Sequence, residues 1–265
     1  LVGATSGRTT LNGEGLQHQD GHTHILLSTV PNVVSYDPTF AYEIAVLIRD
    51  GIYRMYEKQE SVFYYLSIGN ENYPMPAMPE GVKDGIIKGM YRFIRSDKQS
   101  TVRAHLFGSG SIMNQVIEAQ KILENKYDVA TDIWSVTSYN ELRREALNVE
   151  RDNLLHGSKN AKTPYVTNLL KNEDDIFVAA SDYIKALPDS IRQWIPGTYT
   201  VLGTDGFGRS ESRERLRDFF EVDAKHIVWA TLVTLVDQKK LSSDVLAKAK
   251  MELKINPDKL NPMVS

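Results

Sequence analysis

Val102-Arg103-Ala104-His105-Leu106-Phe107-Gly108-Ser109-Gly110-Ser111 sets a β-rich apolar run against a Gly/Ser turn, and Ile112, Val116, Ala119 and Leu123 then recur on one face at helical spacing. The pattern predicts a strand over 102–107 followed by a helix over 112–123. Downstream the order repeats, with strands expected at 132–137, 175–180 and 199–202 and helices at 139–152, 212–220, 224–237 and 242–251. Alternation at these lengths predicts an α/β fold with a mostly parallel, three-layer sheet.

Upstream of that unit, residues 1–35 are dense in Gly, Thr and His and read as loop with short strands, the last at 32–35. Asp37-Pro38 predicts a helix start, with Asp as N-cap and Pro in the first helical position. Phe40, Ile44, Leu47, Ile48 and Ile52 continue it at helical spacing, and 61–68, with three aromatics, reads as a buried strand. Pro74, Pro76 and Pro79 interrupt helix and central strand alike. A domain boundary is expected there or shortly after, dividing the chain into 1–80 and 81–265.

The 265 residues are 42% hydrophobic and 25% charged, a balance that supports a sizeable core. A net charge of -3 gives no electrostatic reason to expect nucleic acid or an anionic membrane as partner. With no cysteine, disulfides, thiolate zinc sites and thiol nucleophiles are all excluded. No apolar run approaches the roughly 18 residues of a membrane span, and the start, Leu1-Val2-Gly3-Ala4, lacks the basic region of a signal peptide, so a cytoplasmic location is expected by default. The first residue, Leu1, is not Met and the sequence opens within an apparent strand, which suggests a piece of a longer chain.

Three of the six histidines, His18, His22 and His24, fall within Asn12-Gly13-Glu14-Gly15-Leu16-Gln17-His18-Gln19-Asp20-Gly21-His22-Thr23-His24, together with two carboxylates. Histidine exchanges protons near neutral pH and glycines let backbone approach a ligand, which fits a proton-transfer loop. A metal site on His18, Asp20, His22 and His24 and a polar structural loop are the other readings. Gly15 and Gly21 oppose a helix here, and with it the helical zinc arrangement. Gly108-Ser109-Gly110-Ser111 sits where a helix N-terminus binds phosphate, but Met113 occupies the third small-residue position of the dinucleotide fingerprint, so an ordinary turn is preferred. Gly203-Thr204-Asp205-Gly206-Phe207-Gly208-Arg209-Ser210 is read as a turn beside a domain or subunit contact, leading into a helix whose charges face solvent.

The run Gly7-Arg8-Thr9-Thr10-Leu11-Asn12-Gly13-Glu14-Gly15-Leu16-Gln17-His18 resembles, almost residue for residue, the homodimeric pyruvate dehydrogenase first component of many bacteria. Ser35-Tyr36-Asp37-Pro38, Asn70-Glu71-Asn72-Tyr73, Met75-Pro76-Ala77-Met78-Pro79-Glu80-Gly81, Gly108-Ser109-Gly110-Ser111 and Gly203 to Ser210 extend the resemblance over the whole chain. It implies the end of a thiamine-diphosphate-binding (pyrimidine) domain over 1–80, then a transketolase-type C-terminal α/β domain over 81–265. It further implies a homodimer that decarboxylates pyruvate with thiamine diphosphate and magnesium and acetylates the lipoyl groups of a dihydrolipoyl acetyltransferase component. The family's magnesium-binding Gly-Asp-Gly motif is absent, and the main cofactor-binding residues, the activating glutamate included, are expected upstream of Leu1. No tightly bound cofactor and no metal are therefore expected in this chain alone. By the same resemblance His18 is assigned proton transfer or hydrogen bonding, Glu14 is a nearby active-centre acid, and His24 aligns more distantly with a transketolase active-site histidine. His22 receives no role, and the C-terminal domain is expected to be remote from the chemistry. Two other classes compete: a nicotinamide-cofactor oxidoreductase built on Gly108 and Gly110, and a non-enzymatic assembly module.

Overall fold

The computed structural model describes residues 1–5, 7–157, 161–173 and 176–265, and places them in two sheets. The smaller is built from β1 (Val2–Thr5), β2 (Val33–Tyr36) and β3 (Phe63–Ile68), all parallel, in the order β1-β3-β2. Helix α1 (Thr23–Leu27) lies between β1 and β2, and α2 (Ala41–Ile52) between β2 and β3. Parallel neighbours need such crossovers, because a tight hairpin reverses the chain. The expected buried strand at 61–68 is only half-buried: Tyr64 and Leu66 enter the core, while Phe63 and Ile68 remain 39% and 42% exposed.

The helix predicted from Asp37-Pro38 begins later, at Ala41. The buried Glu43 carboxylate decides this, accepting the backbone N–H of Thr39 at 2.5 Å and of Phe40 at 3.0 Å. These donors precede the first turn and have no backbone carbonyl of the helix to bond, so a side chain must accept them. Glu43 also accepts from Ser135 Oγ and Tyr91 Oη, each at 2.6 Å, so the cap fastens α2 to the neighbouring sheet. Asp37 is left free to point elsewhere.

After the proline segment comes a short helix, α3 (Lys83–Lys88), ended by Gly89 at φ +104°. A Cβ at Gly89 would lie 2.5 Å from the Ser138 carbonyl, so glycine is required there both by backbone and by space. Strand β4 (Tyr91–Ile94) then pairs antiparallel with β6 (Ala130–Ser135) at the edge of the larger sheet. Neither α3 nor β4 was expected from the sequence. The rest of that sheet is parallel: β5 (Arg103–Gly108), β7 (Ile176–Ala180) and β8 (Thr198–Leu202) complete the order β4-β6-β5-β7-β8. Of the predicted strand at 175–180, Asp175 lies outside the described residues.

Alternate residues of the central strands feed two separate cores, as a sheet covered on both faces requires. Ala104, Leu106, Ile176 and Val178 pack against α4 (Met113–Lys126), whose buried stripe Val116, Ala119 and Leu123 is the predicted one. Phe107, Phe177 and Ala179 face the opposite layer, where α5 (Tyr139–His156), α6 (Tyr165–Leu170) and α7 (Ala186–Asp189) contribute Leu142, Val166 and Leu187. Helices α8 (Arg213–Phe219), α9 (Ala224–Asp237) and α10 (Asp244–Glu252) complete the first layer. The chain is thus α/β with mostly parallel sheets.

Leu106 is fully buried in the central strand, so Leu106→Ala should lower stability by about 2–5 kcal/mol. Leu154→Ala, at a position 84% exposed on α5, should change it by less than about 0.5 kcal/mol. Urea denaturation of both variants checks the pair, and equal losses would mean the core is misassigned.

Candidate functional site

The carboxyl ends of the two sheets meet along one seam. Asp37, just past β2, donates its N–H to the Thr137 carbonyl at 2.8 Å and accepts from Gly110 N at 3.2 Å. Ser138 Oγ and Asn140 Nδ2 reach across to Ser35 at 2.6 and 2.7 Å. Within the larger sheet the chain leaves β5 toward β6 on one side and β7 toward β8 on the other. Between the ends of β5 and β7 this reversal opens the crevice in which open α/β sheets bind ligands.

Here that crevice is filled from within the chain. Asp182, beyond the end of β7, accepts from Thr9 N at 2.9 Å and from the Thr9 and Thr10 hydroxyls at 2.6 Å each. Thr10 Oγ1 has given its proton to Asp182, so it accepts from Ser111 Oγ at 2.6 Å. Gly7 has φ +94°, and a Cβ there would stand 2.0 Å from Asp182 Oδ2, so no other residue fits. Burial pushes the Asp182 carboxyl upward, and the threonine hydroxyls and Arg217 oppose that shift. Gly108 to Ser111 is therefore a packed turn against the small sheet, as preferred, and has no open anion site.

Arg217 is buried, which corrects the expectation of a solvated α8: its guanidinium grips Glu71 with both arms and lies 3.4 Å from Thr9 Oγ1 and Ser111 Oγ. A buried cation needs such partners, since an unpaired one is costly. Neither Arg217 nor Asp182 carried a signal in the sequence, because their contacts span long stretches of chain.

The histidine loop is held from the same side. Arg8 donates to the carbonyls of Thr204, at 2.8 Å, and Gly206, and its Nη2 meets His22 Nδ1 at 3.1 Å. Arginine can only donate, so His22 Nδ1 accepts and Nε2 carries its proton. His22 thereby gains a structural role. A Cβ at Gly21 would fall 2.5 Å from Arg8 Nη2, so the arginine packs directly over that glycine. Further along, Gly13 N donates to the Glu211 carbonyl at 3.0 Å, Ser210 Oγ to the Gly13 carbonyl at 3.1 Å, and Arg209 N to Gln19 Oε1. Arg213 donates through N to Asn12 Oδ1 at 3.2 Å and through Nε to the Thr10 carbonyl at 2.7 Å. The contact expected beside Gly203 to Ser210 lies within the chain, and the C-terminal unit touches the histidine loop instead of standing apart from it.

Glu14 and His18 sit on the outer surface of that loop, His18 in a 3-10 turn over Leu16–His18, both exposed and without a side-chain hydrogen bond among the described residues. His24 is elsewhere: it lies inside α1, buried, with Nε2 3.2 Å from Ser67 Oγ and its ring edge-on to Tyr65 and Tyr183. Burial lowers its pKa to about 4, so the ring is neutral at physiological pH. Ser67 in turn donates to Asp37 Oδ1 at 2.5 Å. The four ligand-type residues of the loop do not converge on one point. Asp20 caps α1 through the N–H groups of His22 and Thr23, His22 faces Arg8, and His24 faces Ser67.

Among the described residues, His/Asp/Glu groups with metal-ligand spacing are His105–Asp132–Glu173 and Asp218–Asp223–His226, both away from this loop. Arg103 and Arg92 already hold the carboxylates of the first, and Lys225 those of the second. At the seam the Asp182 carboxylate is engaged by Thr9 and Thr10 and Asp37 accepts from Ser67, so these side chains do not present a set of free carboxylates to a magnesium diphosphate.

Residues 89–223 match the model of the transketolase-like TK C-terminal domain, and residues 1–76 that of the pyruvate dehydrogenase E1 component middle domain. The chain belongs to the transketolase-like family. Its fold is shared with a Pichia stipitis transketolase crystallised with sedoheptulose 7-phosphate, at TM-score 0.62 and 16% identity over 90% of this chain and 30% of that one. An inactive β4 tetramer of a split-gene transketolase matches at TM-score 0.57 and 14% identity, over 88% of this chain and 65% of its own. Within that class the sequence is similar to pyruvate dehydrogenase E1 components: it is 50% identical over 264 residues to the one from Pseudomonas aeruginosa and 49% over 267 residues to the one from Escherichia coli K12. It spans 30% of the length of each.

Asp37 supplies a pH test of the seam. Burial raises its carboxyl from the ordinary 3.8 to about 7, against the hydrogen bond from Ser67. Between those values the folded chain holds a proton that the unfolded chain has released. Its contribution to stability is therefore full below 3.8 and lost as pH rises to about 7, by up to about 1.4 kcal/mol per pH unit. Asp37→Asn should remove that slope. Urea unfolding across the window checks it, and parallel profiles for the two proteins would contradict it.

Proposed function

We propose that this chain supplies the pyrimidine-side and C-terminal portions of a decarboxylating pyruvate dehydrogenase E1 component, with residues 1–80 completing the middle domain and 81–265 forming the last. The longer enzyme, a cytoplasmic homodimer on this reading, converts pyruvate with thiamine diphosphate and magnesium and passes the acetyl group to lipoyl groups of the dihydrolipoyl acetyltransferase component. Its main cofactor-binding residues precede the position of Leu1. Carrying this proposal is the roughly half identity to E1 components along the entire chain, from the histidine loop to the last helix. The crevice of the larger sheet supports it: closed by Thr9 and Thr10, it gives no purchase for a dinucleotide and disfavours the oxidoreductase alternative.

The cofactor supplies the electron sink for decarboxylation when bound. What this chain adds is a rigidly backed loop whose exposed face carries Glu14 and His18. The imidazole of His18 is suited to give or take a proton at an oxygen of the pyruvate-derived group, with Glu14 as a second acid four residues before it in sequence. His24, neutral and buried, is the third residue assigned to the site. Because the residues that hold the magnesium diphosphate precede Leu1 on this reading, the chain by itself is expected to be inactive, as the split-gene transketolase tetramer is described to be.

Two measurements follow. Calorimetry of the 265-residue chain with thiamine diphosphate and magnesium should show no tight binding, and submicromolar affinity would overturn the division of labour proposed. In the full-length enzyme His18→Ala should cut turnover by about 10²- to 10⁴-fold with cofactor affinity and melting temperature near wild type. Normal turnover with an intact fold would remove His18 from the chemistry.

A further inference from the structure

Burial distinguishes His24 from His18 and His22, and the hydrogen bonds behind it determine which of its nitrogens is protonated. Ser67 Oγ has one proton and three possible acceptors in reach, Asp37 Oδ1 at 2.5 Å, the Tyr36 carbonyl at 3.2 Å and His24 Nε2 at 3.2 Å. With Asp37 ionised, above the range in which it titrates, the shorter bond is to a carboxylate, is the stronger and takes the proton. Ser67 is then left facing His24 Nε2, 3.2 Å away, with a lone pair, so that nitrogen must be an N–H. The ring is neutral, which puts the remaining lone pair on Nδ1.

We propose that Asp37 and Ser67 are positioning residues whose hydrogen-bond chain fixes His24 in the Nε2–H tautomer, so that the ring meets a ligand as a hydrogen-bond acceptor at Nδ1. This rests on the assignment of His24 to the site. A ligand group bonded there is consequently a donor, a hydroxyl or a protonated amine, and a carboxylate or phosphate oxygen is refused. Such control of a histidine by the groups behind it is a recurrent device.

The chain of hydrogen bonds is anchored at both ends. The Asp37 peptide is bonded on one side to Thr137 and on the other to Gly110, where a Cβ would approach Asp37 Oδ1 to 2.7 Å. The His24 carbonyl accepts from Asn140 Nδ2 at 2.7 Å, and Tyr65 and Tyr183 flank the ring with centroids 5.5 and 4.6 Å away. Residues of the larger sheet's turns thereby hold a side chain of α1 in one orientation.

Long-range proton–nitrogen correlation spectra of the chain labelled with nitrogen-15 histidine report the tautomer directly, recorded above the range in which Asp37 titrates. Wild type should show His24 as Nε2–H. Ser67→Ala should leave a mixture, and Ser67→Thr should restore the single form. In Asp37→Asn the amide can donate to Ser67, which then turns its own proton to the ring, so His24 should move to Nδ1–H. If Asp37→Asn does not fold, the two Ser67 variants decide the matter, with unchanged His226 signals reporting an intact fold. An Nδ1–H wild type, or a Ser67→Ala variant with the wild-type tautomer, overturns the proposal. No step of this test needs activity, so its failure and the failure of the E1 reading are distinguishable.

Discussion

One buried carboxylate, that of Asp182, joins the two halves of the structure. It collects three hydrogen bonds from Thr9 and Thr10 at the place where the larger sheet's topology leaves a gap. Hydrogen bonds to a charged group contribute about 1.5–3 kcal/mol each, and a buried acceptor left unpaired costs a comparable amount. The threonines and the aspartate are therefore mutually obligatory. Gly7 is fixed by the same contact, since any side chain would collide with the carboxylate.

From that junction the constraint spreads outward. Arg217 and Glu71 close one flank, and Arg8 carries the other to Thr204, Gly206 and His22. The loop of residues 12–19 is then laid along Arg209, Ser210, Glu211 and Arg213. Two exposed side chains, Glu14 and His18, are thus carried on a loop whose backbone is bonded at several points. Precise placement of a reacting group needs backing of this kind, because a loop without it wanders by more than catalysis tolerates.

Periodic elements were legible in the sequence, while long-range ones were not. Ala224–Asp237 is a helix with the predicted bounds, and the stripe Val116, Ala119 and Leu123 on α4 is buried as its spacing implies. The edge strand Tyr91–Ile94 is short, leaving too few residues to show an alternation. At Asp37-Pro38 a local cap signal lost to Glu43, whose carboxylate is held by Tyr91 and Ser135 from the other sheet. For the candidate site, clustering drew attention to Glu14, His18 and His24. Nothing in spacing could show that Thr9 and Asp182, far apart in the chain, share a hydrogen bond, or that Arg217 is buried.

Hydrogen–deuterium exchange on the chain with Asp182→Asn tests most directly whether that carboxylate organises the histidine loop. Exchange should become faster across residues 7–22, with the protection of α4 and α9 retained. Unchanged protection of residues 7–22 in a folded Asp182→Asn variant would contradict it.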